Sequence, residues 1–393
     1  MHTTQQNKAV IFGAGNIGRS FIGNIFASNG YQVTFIDANQ ELVDQLNRQG
    51  SYPVLIKRNH QADEKVEVSG IRALHSSDGE GVITALKDCS YCATAVGQNA
   101  LQFVVPQIAE AVKQRTAEDL PALDIIIAEN IRNGADFFRD IFRRYGLDGN
   151  EAGLVETSIG KMVPIMTGED LADDPLVLHA EEYNTLILDR KGFMNTVPAF
   201  PEIKAVDNIA AWVDRKLFIH NLGHAACAYF GFKNHPGRKF IAEIIEEPAI
   251  KTQVRAAMDE AAAALLAEYP EEFTQETLDE HIDDLLFRFG NKSLGDTVFR
   301  VGRDLYRKLN RNDRILGAAA LCIKHGLPCD AVTGVFQAAL GFEAADENGR
   351  MFKNDIEFHS NLQKKDIEQF LQAELGLNPD DDILQQHIVL QND

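Results

Sequence analysis

No run of about eighteen apolar residues, the length a helix needs to cross a bilayer, occurs in the 393-residue sequence, so no membrane span is expected. Cysteine is sparse and odd in number: Cys89, Cys92, Cys227, Cys322 and Cys329. That usage suits reduced thiols in the cytoplasm better than a disulfide framework. Cys89 and Cys92 form a C-x-x-C, but no second pair stands at zinc-ribbon spacing. They fall in a strand-like stretch ending at Gly97, so core cysteines and no metal site are expected. Positive charge is scarce as well. Lys and Arg number 38 against 58 Asp and Glu, a formal charge of −20, which opposes nucleic acid or an anionic membrane as partner. The first seven residues lack the basic and apolar regions of a secretory signal. Nor is there an internal repeat or a low-complexity tract. What these absences leave is an ordinary globular protein, too long for a single hydrophobic core.

The most informative stretch that is present runs from Lys8 to Ile22. Val10, Ile11 and Phe12 read as a buried parallel strand, and Gly13, Gly15 and Gly18 follow at G-x-G-x-x-G spacing before a helical apolar pattern. In such a turn the glycines serve the tight bend, close approach to a pyrophosphate, and helix-on-strand packing. Asn16 and Ile17 lie inside the loop, where a helix start points N–H groups at phosphates. A second strand, Val33–Asp37, ends in an acid placed to accept hydrogen bonds from a ribose and to repel a 2′-phosphate. The cofactor expected is therefore NAD.

Strands and helices alternate over the first 150 residues, the pattern of a doubly wound parallel sheet. Ser90–Val96 reads as a third strand closed by Gly97, and Leu123–Asn130 as a further apolar run. Ligands bind beyond the carboxyl ends of such strands, where Thr94, Gly97, Glu129 and Asn130 fall. One or two strands are expected between Leu176 and Leu188, and the turn at Pro198–Pro201 reads as a domain boundary. The expected organisation is α/β: a Rossmann-type domain over 1–200 and a mainly helical domain over 201–393. Within the second, Ile241–Ala267 should be divided at Pro248, and Arg314–His325, Asp330–Leu340 and Lys365–Leu375 read as helices. Asp380–Asp382 reads as a solvated helix start, and nothing in 340–393 suggests chemistry.

Asp214–Ala226 stands out in the helical half. On an ideal α-helix Lys216, Asn221 and His224 fall within an arc of about 140°, presenting a proton carrier, an oxygen-holding amide and a hydroxyl-orienting imidazole. His220 shares the arc, and spacing alone does not choose between the histidines. Arg300, Arg303, Arg307, Lys308, Arg311 and Arg314 crowd another segment. As one helix the arginines would share a stripe about 80° wide, while Asn310 and Asn312 argue for a break, with Asn312 or Asp313 as cap. The segment is either a phosphate cradle or a solvated face paired with Asp296, Asp304 and Asp313.

Lys216, Asn221 and His224 match the K-x4-N-x2-H motif, and the chain resembles the polyol-specific long-chain dehydrogenases. The resemblance takes in Phe12–Arg19, Thr94–Gly97, Glu129-Asn130, Arg215–Phe218 and Gly223-His224, and extends through Gly302-Arg303, Arg307–Leu309 and Asp313-Arg314. It implies a metal-independent reaction with Lys216 as general acid/base, Asn130 and Asn221 holding the reacting oxygen, and His224 orienting substrate. The G-R-x3-R-K-L-x3-D-R pattern resembles the phosphate-specific branch and implies Arg303, Arg307, Lys308 and Arg314 as phosphate ligands. The implied reaction interconverts a hexitol phosphate and a ketose phosphate. Two departures bear on substrate: Ile159–Pro164 replaces the family's D-R-I-V-P, with Lys161 for arginine, and Leu305 stands where a proline is frequent. A non-phosphorylated polyol or uronate is the enzymatic alternative, and an NAD(H)-sensing regulator the non-enzymatic one.

Overall fold

Val10, Ile11 and Phe12 are at most 2% exposed, as a strand covered on both faces must be. They belong to β1 (Lys8–Phe12), the centre of the main sheet of this computed structural model, which describes residues 7–377 except 165, 167, 169 and 173. Asp380–Asp382 therefore lies outside the described residues. The strands that follow are β2 (Gln32–Asp37), β3 (Ser51–Lys57), β4 (Glu64–Ser69), β5 (Ile71–His75) and β6 (Tyr91–Thr94). They continue with β7 (Leu123–Ile127), β8 (Ala152–Ser158), β9 (Leu178–Glu181), β10 (Leu186–Asp189) and β11 (Ile203–Val206).

The main sheet has the order β11-β10-β8-β7-β6-β1-β2-β5, parallel from β5 through β8, with β10 antiparallel to β8. Chain order reverses between β1 and β6, the switch point at which doubly wound sheets open a ligand crevice. Alternation along β1 sends Ile11 into a core with Phe21, Ile25, Phe35 and Tyr52. Val10 and Phe12 face the opposite core, with Leu86, Val105, Ile108 and Phe138.

Three features depart from the sequence expectations. The run expected as Ser90–Val96 is shorter, Tyr91–Thr94, and a strand the pattern did not show, β5, precedes it. Because β5 is the last strand of the sheet, only Ile71 and Ala73 are buried and its apolar signal is thin. Second, β3 and β4 form an antiparallel hairpin that pairs with β9 in a small separate sheet. Third, β11 follows the Pro198–Pro201 turn and still pairs with β10.

The chain divides into two units, the first ending at Ile209 and the second beginning at Ala210. The second is built from helices around Pro248–Glu268, whose buried Ile250, Val254, Ala257, Met258, Ala261 and Leu265 recur at helical spacing. Against it packs Leu222–Asn234, closely enough that a Cβ on Gly223 would come within 2.5 Å of Met258 Sδ. Pro248 does separate two helices, Ile241–Ile245 and Pro248–Glu268. Leu316–Lys324, Asp330–Leu340 and Ile367–Leu375 occupy the other expected helical stretches.

Candidate active site

In the first unit the three glycines have three different surroundings. Gly13 has φ +93°, and a Cβ there would lie 2.4 Å from Ala95 O. A Cβ on Gly18 would sit 1.9 Å from Gly13 O, so the turn closes on the helix only without side chains. Around Gly15 a Cβ would meet nothing within 4 Å. That backbone is open on the side from which a pyrophosphate would approach, at the head of a helical run that starts at Asn16 and passes into a π turn, Gly18–Gly23. Ile17 precedes it, and Asn16 Nδ2 donates to Pro164 O at 3.4 Å. Asp37, at the end of β2, accepts from Ala14 N at 2.8 Å and from Asn39 N at 2.9 Å. Its carboxylate is thus fixed beside the glycine loop where a ribose edge would lie, and the residues fit NAD.

On the other side of the switch point, Thr94 ends β6 and is fully buried. Glu129 holds the next loop: its carboxylate accepts from Val96 N at 2.8 Å and Gly97 N at 2.9 Å. Burial raises the Glu129 pKa, against those hydrogen bonds, which lower it. Asn130 follows it as an exposed residue beyond the end of β7. Glu129 is accordingly a brace between two loops. Lys161 is another: its ammonium donates to Tyr183 O at 2.9 Å and Asn184 Oδ1 at 3.0 Å, buried near the Phe21 ring.

In the second unit, the segment Lys216–Asn221 is a π turn, set between the helices Ile209–Arg215 and Leu222–Asn234. This corrects the helical-wheel argument. Five residues of α-helix would turn Asn221 about 140° away from Lys216. The i→i+5 repeat of a π turn stacks the two on one side, a device frequent at functional sites. Lys216 keeps a little accessible surface but is enclosed by protein, and its ammonium pKa falls to about 8. Desolvation is the main cause, with the charges of Arg314 and Arg307 lowering it further and Asp313 opposing them. The helix Leu316–Lys324, which starts two residues after Arg314, packs on the π turn: a Cβ on Gly317 would lie 2.8 Å from the Phe218 ring.

The two histidines separate clearly. His220 is buried, and desolvation together with Arg288, His224, Lys216 and His281 holds its pKa well below the usual value. It is a neutral packing group against Phe289. His224 stacks on Phe289 at 4.8 Å with ring planes 6° apart, and its Nε2 lies 3.2 Å from Asp296 Oδ2.

The basic segment is broken, not a single stripe. Val298–Gly302 and Leu305–Lys308 are short helices separated at Asp304, whose φ is +74°. The following helix starts at Leu316, beyond the expected cap at Asn312 or Asp313. Lys308 does not face outward as a phosphate ligand. It is buried, its ammonium donating to Val301 O at 2.7 Å and also to Arg303 O. Desolvation and the neighbouring Arg314 and Arg307 push its pKa well down, so its role is to tie the loop. Asp355, from the helix Lys353–Lys364, accepts from Asp304 N and Leu305 N at 2.8 to 3.1 Å. The C-terminal region therefore shapes this segment, a contribution its sequence did not suggest. Of the other candidates, Arg303 lies 5.4 Å from the Phe299 ring and 5.5 Å from that of Phe352. Arg307 is exposed beside Asp304 (2.6 Å), and Arg314 is buried with its Nε on Asp313 at 2.7 Å.

All five cysteines are buried free thiols, and no group of His, Cys, Asp or Glu among the described residues could hold a metal ion. No described helix is long and apolar enough to cross a membrane.

Residues 7–202 match the mannitol dehydrogenase Rossmann domain, and residues 208–389 the mannitol dehydrogenase C-terminal domain. The fold is similar to that of Pseudomonas fluorescens mannitol 2-dehydrogenase, solved as a ternary complex with NAD and D-mannitol. That match has a TM-score of 0.74 and 19% identity over 95% of this chain and 88% of that one. D-sorbitol dehydrogenase in substrate-free form matches with a TM-score of 0.75 and 14% identity, over 97% and 94% of the two chains.

Proposed function

The chain belongs to the mannitol dehydrogenase family of NAD-dependent oxidoreductases acting on a polyol CH–OH, and from that premise we propose that its substrate pair is a hexitol phosphate and a ketose phosphate, mannitol 1-phosphate and fructose 6-phosphate. The observation that carries the phosphate is electrostatic. The charges of Arg314 and Arg307 lower the pKa of Lys216, which supports a phosphate site in the same neighbourhood of the second unit as the proposed acid/base.

Gly13–Gly18 and Asp37 would hold NAD, whose chemistry is to accept and return a hydride. Lys216 takes the hydroxyl proton during oxidation and returns it during reduction, a role open to an amine whose pKa lies close to working pH. Asn221 and Asn130 donate hydrogen bonds to the oxygen as charge develops on it, and His224 orients the substrate. Arg307 and Arg314, with Arg303, bind the phosphate.

The second reading, a non-phosphorylated polyol or a uronate, draws on the carboxylates already beside two of these arginines, Asp304 and Asp313. Following NADH absorbance with fructose 6-phosphate, fructose and fructuronate separates the readings. Fructose 6-phosphate should give the highest kcat/KM, and Arg307→Gln and Arg314→Gln should each raise its KM about tenfold, the worth of one charge-assisted hydrogen bond. A preference for fructose or fructuronate, unchanged in those variants, would replace the phosphate reading. NADH binding without turnover of any of the three would make the protein a sensor.

A further inference from the structure

Three elements converge on His224, and only one of them carries the family motif. Its own helix, Leu222–Asn234, presents the imidazole. Phe289, the last residue of Gln275–Phe289, lies flat against the ring and fixes its plane. The third is the segment before Val298–Gly302. Main-chain bonds pin it: Ile241 N donates to Asp296 O at 2.9 Å, Val298 N donates to Lys239 O at 2.8 Å, and Phe240 and Thr297 form an antiparallel bridge. From this fixed backbone the carboxylate of Asp296, only 8% exposed, reaches the ring edge of His224 with one oxygen and pairs with Arg300 through the other.

We propose that Asp296 is a positioning residue, fixing the tautomer of His224 with the proton on Nε2 and thereby making Nδ1 a hydrogen-bond acceptor for a substrate hydroxyl. The argument is one of donor and acceptor inventory. A carboxylate paired with a guanidinium accepts hydrogen bonds and donates none, so the nitrogen facing it must carry the proton. In a neutral imidazole the other nitrogen is then an acceptor. A histidine in this state reads an alcohol O–H and not a carbonyl oxygen. The acceptor is therefore set by a residue eighty positions beyond Lys216, on a segment held by the bridge at Phe240 and Thr297. At 3.2 Å the Nε2–Oδ2 contact is close but imperfectly aligned, as catalytic hydrogen bonds often are before substrate tightens them. His220, one helical turn earlier, has the cations Arg288 and Lys216 near it and no carboxylate among the charges acting on it.

This inference rests on the proposed dehydrogenase reading for its kinetic consequence, but the tautomer belongs to the free protein. The first measurement is therefore 15N NMR of histidine-labelled full-length protein at about pH 9, where an ordinary imidazole is neutral, with His224 assigned by its loss in His224→Ala. The expected spectrum shows His224 protonated at Nε2, and Asp296→Asn mixes the tautomers. Protonation at Nδ1 in the unsubstituted protein, or a spectrum indifferent to Asp296→Asn, overturns the proposal. The second is kinetic. Asp296→Asn should lower kcat/KM for the ketose at least about tenfold with NADH affinity unchanged, and in a His224→Ala background the same substitution should cost less than about twofold. Losses that multiply independently would overturn it. Absence of turnover by the unsubstituted protein would refute the functional reading alone, with the NMR result still deciding where the proton sits.

Discussion

Lys216 should impose a visible pH dependence on the reaction. Its pKa falls from 10.5 to about 8, a differential of about 3 kcal/mol between the charged and neutral forms. At pH 7 about one lysine in ten is then neutral, against about one in three thousand at the unperturbed value, so roughly 300-fold more base is present. For alcohol oxidation, log kcat/KM should rise with unit slope and level off above pH 8; for ketose reduction it should be level below pH 8 and fall above it. Desolvation is the larger cause, and the positive charge of Arg314 is the next. Removing that charge with Arg314→Gln should move the inflection upward, towards the value of a free lysine. The assay is initial NADH production or consumption from pH 6 to 10 at saturating cofactor. A profile flat across pH 7 to 9, or an inflection that moves downward in Arg314→Gln, would refute the assignment of Lys216 as the titrating group.

The same shift makes a stability prediction. A lysine depressed in the folded state costs stability below its folded pKa, and the cost is relieved as pH rises between about 8 and 10.5. Lys216→Met should therefore abolish turnover yet raise the thermal midpoint at pH 7, with the gain fading across that window; a lowered midpoint at pH 7 would contradict it. Gly15→Ala should leave the thermal midpoint within a degree or two while weakening NADH binding, because the added Cβ meets open space and only a ligand would notice it. Gly18→Ala, with its Cβ 1.9 Å from Gly13 O, should lower the midpoint by several degrees. Fluorescence titration and thermal unfolding compare the two. Asp37→Ser should narrow the preference for NAD over NADP about tenfold or more, since the repelling carboxylate is gone; an unchanged kcat/KM ratio would deny Asp37 that role.

The glycine loop is legible in the sequence because the surroundings of Gly13 and Gly18 are made by each other and by the residues just past one adjacent strand, Ala95 and Val96, while Gly15 faces open space. β1, β2, β6 and β7 announce themselves by nearly continuous burial, whereas β5, β4 and β11 bury only part of their residues and gave no signal, and β8 was not expected although it is almost wholly buried. Helices around Pro248–Glu268 were legible because their periodicity is one-dimensional. What could not be read was decided by packing. A π turn and an α-helix share the same letters at 216–221, and only tertiary contacts select the wider turn. Lys308 is indistinguishable in sequence from its basic neighbours until Val301 and Arg303 claim its ammonium. Asp296 reads in sequence only as a partner on a solvated face, and Asp355 falls in a stretch that suggests no chemistry, yet one meets His224 and the other organises the backbone at Asp304.

The arginines that would attract a phosphate are also those that acidify the lysine, and this coupling separates the two substrate readings. In the free protein Arg314 and Arg307 destabilise the Lys216 ammonium. A bound phosphate dianion beside them offsets that charge, so the lysine should regain protons and its pKa in the complex should rise. Because kcat/KM reports the form before substrate binds and kcat the form after, a phosphorylated substrate should place the kcat inflection at higher pH than the kcat/KM inflection. A neutral polyol brings no such charge, and its two inflections should coincide. If fructose 6-phosphate or its alcohol gives coincident inflections, the phosphate does not lie near Arg314 and Arg307. The basic segment would then be a solvated face paired with its own carboxylates.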